Sequence, residues 1–227
     1  MSEWWSYRPS DLIMFSPRAY FRQIESFNVE FWPLQIVLTV VGLGIAFLLY
    51  RARGHDHRIA GILLGLAWIF VGVAYLGLRL SSINWAATYA AYAFSLQGLA
   101  LIAGCLAWPQ CGNEGSPGLA APLFAVATTV LYPLVNLIGG QDVLTAETFG
   151  LMPTPTAVAT FGLLGVVHNR AFATVLAIIP LLWCLTIAAT LNAMNLTTWL
   201  VPALLAATGA ALATVPRHRC LKQWVRR

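Results

Sequence analysis

The stretch Phe149-Gly-Leu-Met-Pro-Thr-Pro-Thr156, with the apolar run that continues to Val167, decides the architecture of this chain. A bilayer-spanning helix needs roughly 20 apolar residues. The clean run from Thr156 to Val167 has only 12. Extension back to Phe149 supplies the length but takes in Pro153 and Pro155, which a regular helix interior rejects. The segment therefore either spans with an irregular start or re-enters from one side.

Six longer apolar runs flank it, at about residues 31–50, 59–78, 85–108, 119–138, 171–191 and 198–215. Their weight shows in the composition: of 227 residues, 59% are hydrophobic and 9% charged. A soluble domain carries about 45–50% apolar and about 25% charged residues. So few charges cannot cover a soluble surface of this size. An ordinary soluble enzyme, a disordered chain and a disulfide-framed secreted module are all excluded. Residues 1–10 show no basic start before an apolar stretch and no small-residue cleavage site, so no secretory signal is expected there.

Charge placement decides between spanning and re-entry. The first loop carries Arg51, Arg53 and Arg58, and the end of the chain carries Arg217, Arg219, Lys222, Arg226 and Arg227. The positive-inside rule places both groups in the cytoplasm. They share a side only if an even number of spans separates them, which requires segment 149–167 to cross. The expected fold is thus an all-α polytopic transmembrane helix bundle of seven spans, with six plus a re-entrant segment as the alternative. Its N-terminus lies outside and its C-terminus in the cytoplasm. Arg170 then falls inside, while Arg8, Arg18, Arg22, Arg79, Asp142 and Glu147 fall outside. Residues 1–30 form an extramembrane, interfacial segment, 31–215 the bundle and 216–227 a basic cytoplasmic tail. Within the first segment, Ser16-Pro17 is a good helix start. Tyr20, Phe21, Ile24 and Phe27 then share one face, opposite Arg18, Arg22 and Glu25. With Trp4, Trp5 and Phe15 nearby, this short amphipathic helix is expected either in the membrane interface or against the protein's own helix ends.

No Asp, Glu, Lys, Arg or His falls near the middle of a span. Such residues mark proton relays and ion pathways, so their absence argues against a proton-driven pump. Polar uncharged residues within or beside the spans are Gln35, Thr88, Gln97, Thr128, Thr129, Asn136, Thr186 and Thr190, suited to hydrogen bonds between helices. Gln97, with Tyr89 and Tyr92 before it, lines either a small polar cavity or an aromatic packing stripe. Gly61, Gly65 and Gly72 lie near one face of segment two, and Ala206, Gly209, Ala210 and Ala213 recur in the last; small residues let helices approach closely. Pro133 and Pro180 kink their spans and free carbonyls.

The break at Pro153, Thr154, Pro155 and Thr156 is the best candidate for binding, because a helix that starts at membrane depth presents free N–H groups. The binding candidates are therefore Gln97, Asn136, Pro153, Thr154, Pro155, Thr156 and Pro180. No catalytic, metal or cofactor site is expected. His55-Asp56-His57 has too few ligands for a metal, His168 and His218 also sit in basic stretches, and no nucleotide loop or hydrolase elbow occurs. Cys105, Cys111, Cys184 and Cys220 show no C-x-x-C spacing and read as buried or free thiols, with a Cys105–Cys111 pair as the unsupported alternative.

Several stretches together carry a likeness. Phe15-Ser-Pro17 leads through Glu25-Ser-Phe-Asn28 to Phe31-Trp-Pro-Leu-Gln-Ile36. Later come Phe149 to Thr156, Phe161-Gly-Leu-Leu164 and Ile179-Pro-Leu-Leu-Trp183. From about Phe15 to Leu212 the chain resembles the bacterial multi-pass membrane family catalogued as domain of unknown function 6064. In that family the proline motif often reads Pro-Cys-Pro followed by two threonines. Here Thr154 stands at the cysteine place and Ala157 at the second threonine, so no role resting on that thiol carries over. The resemblance implies the architecture and no activity, and the expected setting is the bacterial inner membrane. The expected function is a non-catalytic accessory or scaffold membrane subunit, whose partners are the bilayer and other subunits or further copies of itself, without nucleic acid. The alternative is a permease or channel for a small neutral or weakly polar solute.

Overall fold

A computed structural model describes residues 15–51, 53, 55–107, 119–167 and 169–214, and these form helices and turns with no strand among them. Trp4, Trp5, Arg8, Trp108, Cys111, His168, His218, Cys220 and the tail arginines lie outside the described residues. The Cys105–Cys111 alternative therefore rests on sequence alone.

Helix α1 (Pro17–Glu30) starts as its sequence requires, with the Ser16 hydroxyl accepting the Ala19 N–H and Pro17 at the first position. Its apolar face is not left to lipid. Tyr20, Phe21, Ile24, Phe27 and Asn28 are buried while Arg18, Arg22 and Glu25 stay exposed. Phe27 packs edge-on against Tyr75, with ring centroids 5.2 Å apart. Of the two placements open to this helix, packing on the bundle's own end is the one observed.

Among the described residues, five segments are long and apolar enough to cross a membrane. They are α2 (Trp32–Arg51), α3 (Asp56–Phe70) extended through a π-helical turn at Val71–Gly77, α4 (Ala86–Ala107), α5 (Ala120–Leu131) extended through α6 (Val135–Ile138), and α8 (Arg170–Ala193). Pro133 cannot donate to Thr129, and the chain tightens to 3₁₀ geometry at Tyr132–Leu134. Two further helices are shorter: α7 (Pro153–Leu164) and α9 (Leu200–Thr214).

Helix α7 holds most of the short apolar run from Thr156 to Val167. Its twelve residues are all buried, and at 1.5 Å per residue it is about 18 Å long, against a hydrocarbon core of roughly 30 Å. It runs antiparallel to α5: Gly162 lies against the Ala121 carbonyl and Thr154 beside Tyr132. Helices α3, α5, α8 and α9 enclose it. Pro153 and Pro155 thus set where this helix begins, and the preceding 14 residues, 139–152, form a folded link instead of membrane-exposed helix. Large apolar side chains instead point outward from the enclosing helices, among them Val37 and Phe47 on α2, Leu96 and Leu99 on α4 and Ile178 and Leu182 on α8.

Helices α3 and α4 touch through glycine. A Cβ at Gly65 would stand 2.6 Å from the Gly98 carbonyl oxygen, and one at Gly98 would stand 2.5 Å from that of Gly65. Small residues allow this approach, and close packing then supplies the association energy in an apolar solvent. At the opposite end from α1, Arg51 clasps Asp56 with its Nε 2.8 Å from Oδ2, and the Arg53 N–H donates to the same oxygen at 2.9 Å. Asp56 therefore closes the α2–α3 turn.

Gly65→Ala and Gly98→Ala are each expected to cost about 1–3 kcal/mol by forcing the two backbones apart. Gly44→Ala, where a Cβ meets nothing within 4 Å, is expected to be neutral or mildly stabilising. Thermal unfolding of the purified variants in detergent measures all three.

Candidate functional site

The polar residues singled out in the sequence divide into two groups. Gln97 and Pro180 belong to one structural device. Pro180 has no N–H, so the Leu176 carbonyl one turn earlier loses its helical donor. Gln97, buried on α4, gives its Nε2 to that carbonyl at 2.8 Å. Tyr89 and Tyr92 instead face outward and are exposed.

The second group gathers around the start of α7. Pro153 and Pro155 occupy two of its first-turn positions and bring no N–H, and the Met152 N–H is given to the Thr148 carbonyl at 3.0 Å. Of the four donors that a helix start normally leaves free, only the Thr154 N–H remains. The broken helix is therefore poorly equipped to hold an anion by its backbone. Its side chains are tied inward. The Thr156 hydroxyl donates to the Met152 carbonyl at 2.7 Å and accepts the Gly150 N–H at 2.9 Å. The Thr160 hydroxyl donates to the Thr156 carbonyl and accepts the Trp68 Nε1–H at 2.8 Å. Asn136 donates to the Thr145 carbonyl at 2.6 Å.

What these residues frame is a group that the sequence pattern did not single out. Glu147, in the link between α6 and α7, is only 5% exposed. Burial pushes its carboxyl from 4.5 up to about 7, while the Thr154 hydroxyl and the Asn136 amide beside it favour the charged form and offset part of that rise. Tyr20 of α1, Tyr75 of the π-turn and Tyr132 of the α5 extension all stand within electrostatic reach of it. Burial and the Glu147 carboxyl hold the Tyr20 phenol well above its ordinary value, so it stays neutral. The Oε2 atom of Glu147 has no hydrogen-bond partner.

Helix α1 closes the site. Asn28 donates to the carbonyls of Leu144 and Ala146 at 2.7 and 2.9 Å, which fixes the link immediately before Glu147. Arg79, at the end of the α3 extension, pairs with Glu30 of α1. Tyr20 and Tyr75 also line a cavity of about 100 Å³, shared with Phe15, Pro153 and Trp183.

The model of a family described as "Family of unknown function (DUF6064)" matches residues 17–222. The chain belongs to the DUF6064 family. No curated protein and no solved structure matches it. The family match spans every residue of the site, from Tyr20 through Glu147 to Trp183. Among the described residues, no group of three or more His, Cys, Asp or Glu side chains could hold a metal.

Two outcomes follow from this DUF6064 site. Gln97→Leu is expected to cost about 1–3 kcal/mol, because the Leu176 carbonyl is left unpaired. The double variant Gln97→Leu/Pro180→Ala returns a helical N–H to that carbonyl and is expected to recover most of the loss, as a double-mutant cycle will show. The second concerns pH. Folding raises the Glu147 pKa from 4.5 to about 7, so the folded chain holds a proton that the unfolded chain releases. That contribution is complete below pH 4.5 and is lost as pH rises through about 7. It amounts to about 3 kcal/mol. Thermal melts in a buffer free of small cations are expected to fall over this window, and Glu147→Gln is expected to flatten that part of the profile.

Proposed function

We propose that the protein is a non-catalytic accessory or scaffold subunit of the bacterial inner membrane. The observation that carries this reading is the filled interior. Helix α7 occupies the middle of the bundle with all twelve residues buried. Gln97, Asn136 and Thr156, the residues that would line a polar path, are each committed to internal hydrogen bonds. A subunit that works through its outer surface needs a rigid, well-packed bundle, and the glycine contact of α3 with α4 supplies one.

On this reading α7 counts as a crossing within the protein, which gives seven, with the N-terminus outside and the C-terminus cytoplasmic. The support is charge. Arg51, Arg53 and Arg58 cluster at the end opposite α1, where α8 also begins with Arg170. This is the asymmetry that the positive-inside rule requires.

A permease for a small solute is the second reading. It is favoured by Glu147, a buried ionisable group beside an aromatic cavity, since perturbed ionisable groups cluster at functional sites.

Two experiments test these statements. Protein extracted in mild detergent is expected to run as a stoichiometric assembly, with itself or with another membrane subunit. Proteoliposomes are expected to pass small neutral solutes no faster than empty vesicles. A monodisperse monomer that accelerates solute flux would overturn the scaffold reading and support the permease. A reporter fused at the C-terminus is expected to register the cytoplasm, and a periplasmic signal would contradict the seven-crossing topology.

A further inference from the structure

The described residues carry four buried side-chain oxygens without a hydrogen-bond partner, and all belong to residues grouped at the Glu147 link. They are Oε2 of Glu147, Oγ1 of Thr148, the Tyr75 hydroxyl and Oδ1 of Asn28. Their residues are 5%, 8%, 1% and 3% exposed. Glu147 and Thr148 are adjacent. The Asn28 amide is bonded to the Ala146 carbonyl next door. Tyr75 stands within electrostatic reach of Glu147. Buried polar atoms are nearly always paired, and an isolated carboxylate in an apolar interior is strongly disfavoured. The described residues around it supply oxygen and aromatic faces but no cation. Tyr20, Tyr75 and Tyr132 are neutral neighbours, Thr154 and Asn136 are uncharged, and the guanidinium of Arg79 is engaged by Glu30.

We infer that the Glu147 link is a binding site for one compact monovalent cation, held by oxygen ligands and closed over by α1. The charge of the ion follows from the charge of the site. One carboxylate with neutral oxygens balances a single positive charge, whereas buried calcium sites commonly draw on several carboxylates. Hydroxyl and amide oxygens suit a hard ion such as sodium or potassium, and they equally accept the N–H groups of ammonium or a primary amine. The adjoining cavity of about 100 Å³, lined by Phe15, Tyr20, Tyr75 and Trp183, has room for the short alkyl chain of an amine, and aromatic faces attract such cations. A proton on Glu147 neutralises the same charge, so proton and cation compete. This inference does not depend on whether the protein is a scaffold or a permease.

The test uses the full chain in detergent at pH 8, with thermal unfolding followed as chloride salts of sodium, potassium, ammonium or methylammonium replace choline chloride at constant ionic strength. At least one small cation is expected to raise the unfolding temperature saturably over choline. Sodium or potassium acting alone identifies a metal-ion site; ammonium and methylammonium acting identify an amine site. Glu147→Gln is expected to abolish the effect, and Tyr75→Phe, which keeps the ring, to weaken apparent affinity about tenfold. Because Glu147→Gln could fail to fold, the wild-type chain carries a second readout. Its apparent affinity is expected to fall about tenfold for each pH unit below the Glu147 pKa, as proton competition requires. The inference is overturned if every cation behaves like choline. It is also overturned if folded Glu147→Gln responds as wild type does, or if the affinity is independent of pH.

Discussion

In an apolar interior a polar group that leaves regular helix must find a partner inside the protein, and this constraint shapes the bundle. Several interruptions show such a partner. The carbonyl freed by Pro180 is met by Gln97 from the facing helix. The proline-broken start of α7 is held by Thr156, bonded to both Met152 and Gly150. The Trp68 indole, buried at the centre, finds Thr160. The link before α7 is tied to Asn28 of α1. Mixed pairing of this kind fixes helix register and rotation, because each donor reaches its acceptor in only one arrangement.

Glu147 is where that pattern stops. It is a buried carboxyl with one oxygen unpaired, and the chain builds around it without pairing it to a cation among the described residues. Four separate elements bring a side chain toward it: α1 with Tyr20, the π-turn with Tyr75, the α5 extension with Tyr132 and α7 with Thr154. Natural bundles carry such unsatisfied groups mainly where they serve a purpose. The π-turn at Val71–Gly77, which carries Tyr75, fits the same view, since local π geometry recurs at functional sites.

The helical segments were legible because hydrophobic run length reports them directly. The fold's outer helices begin and end within a few residues of the apolar runs that specify them. Helix α7 was harder. Its twelve residues read as too short to span, and only tertiary enclosure shows that they need not face lipid at all. The candidate residues were legible in identity but not in role: Gln97 and Pro180 turned out to be partners, and Thr156 a local staple. Glu147 was illegible because it lies in a polar link, where a carboxylate is ordinarily solvated. Coverage by α1 changes that environment, and coverage is a property of the fold. One signal was present. Asn28 continues the stripe of Tyr20, Ile24 and Phe27, and a polar residue on an otherwise apolar buried face indicates a polar surface beneath it.

Everything proposed for the site turns on one group: the buried Glu147 carboxyl, which stays uncharged until its proton is removed near neutrality or replaced by a small cation. Infrared difference spectroscopy on the full chain in detergent, titrated without small cations, reads that group directly. The expected result is a protonated-carboxyl C=O band that disappears with a midpoint near pH 7 and is missing from Glu147→Gln. A wild-type spectrum with no carboxyl titrating between about pH 5.5 and 8.5 would contradict the claim.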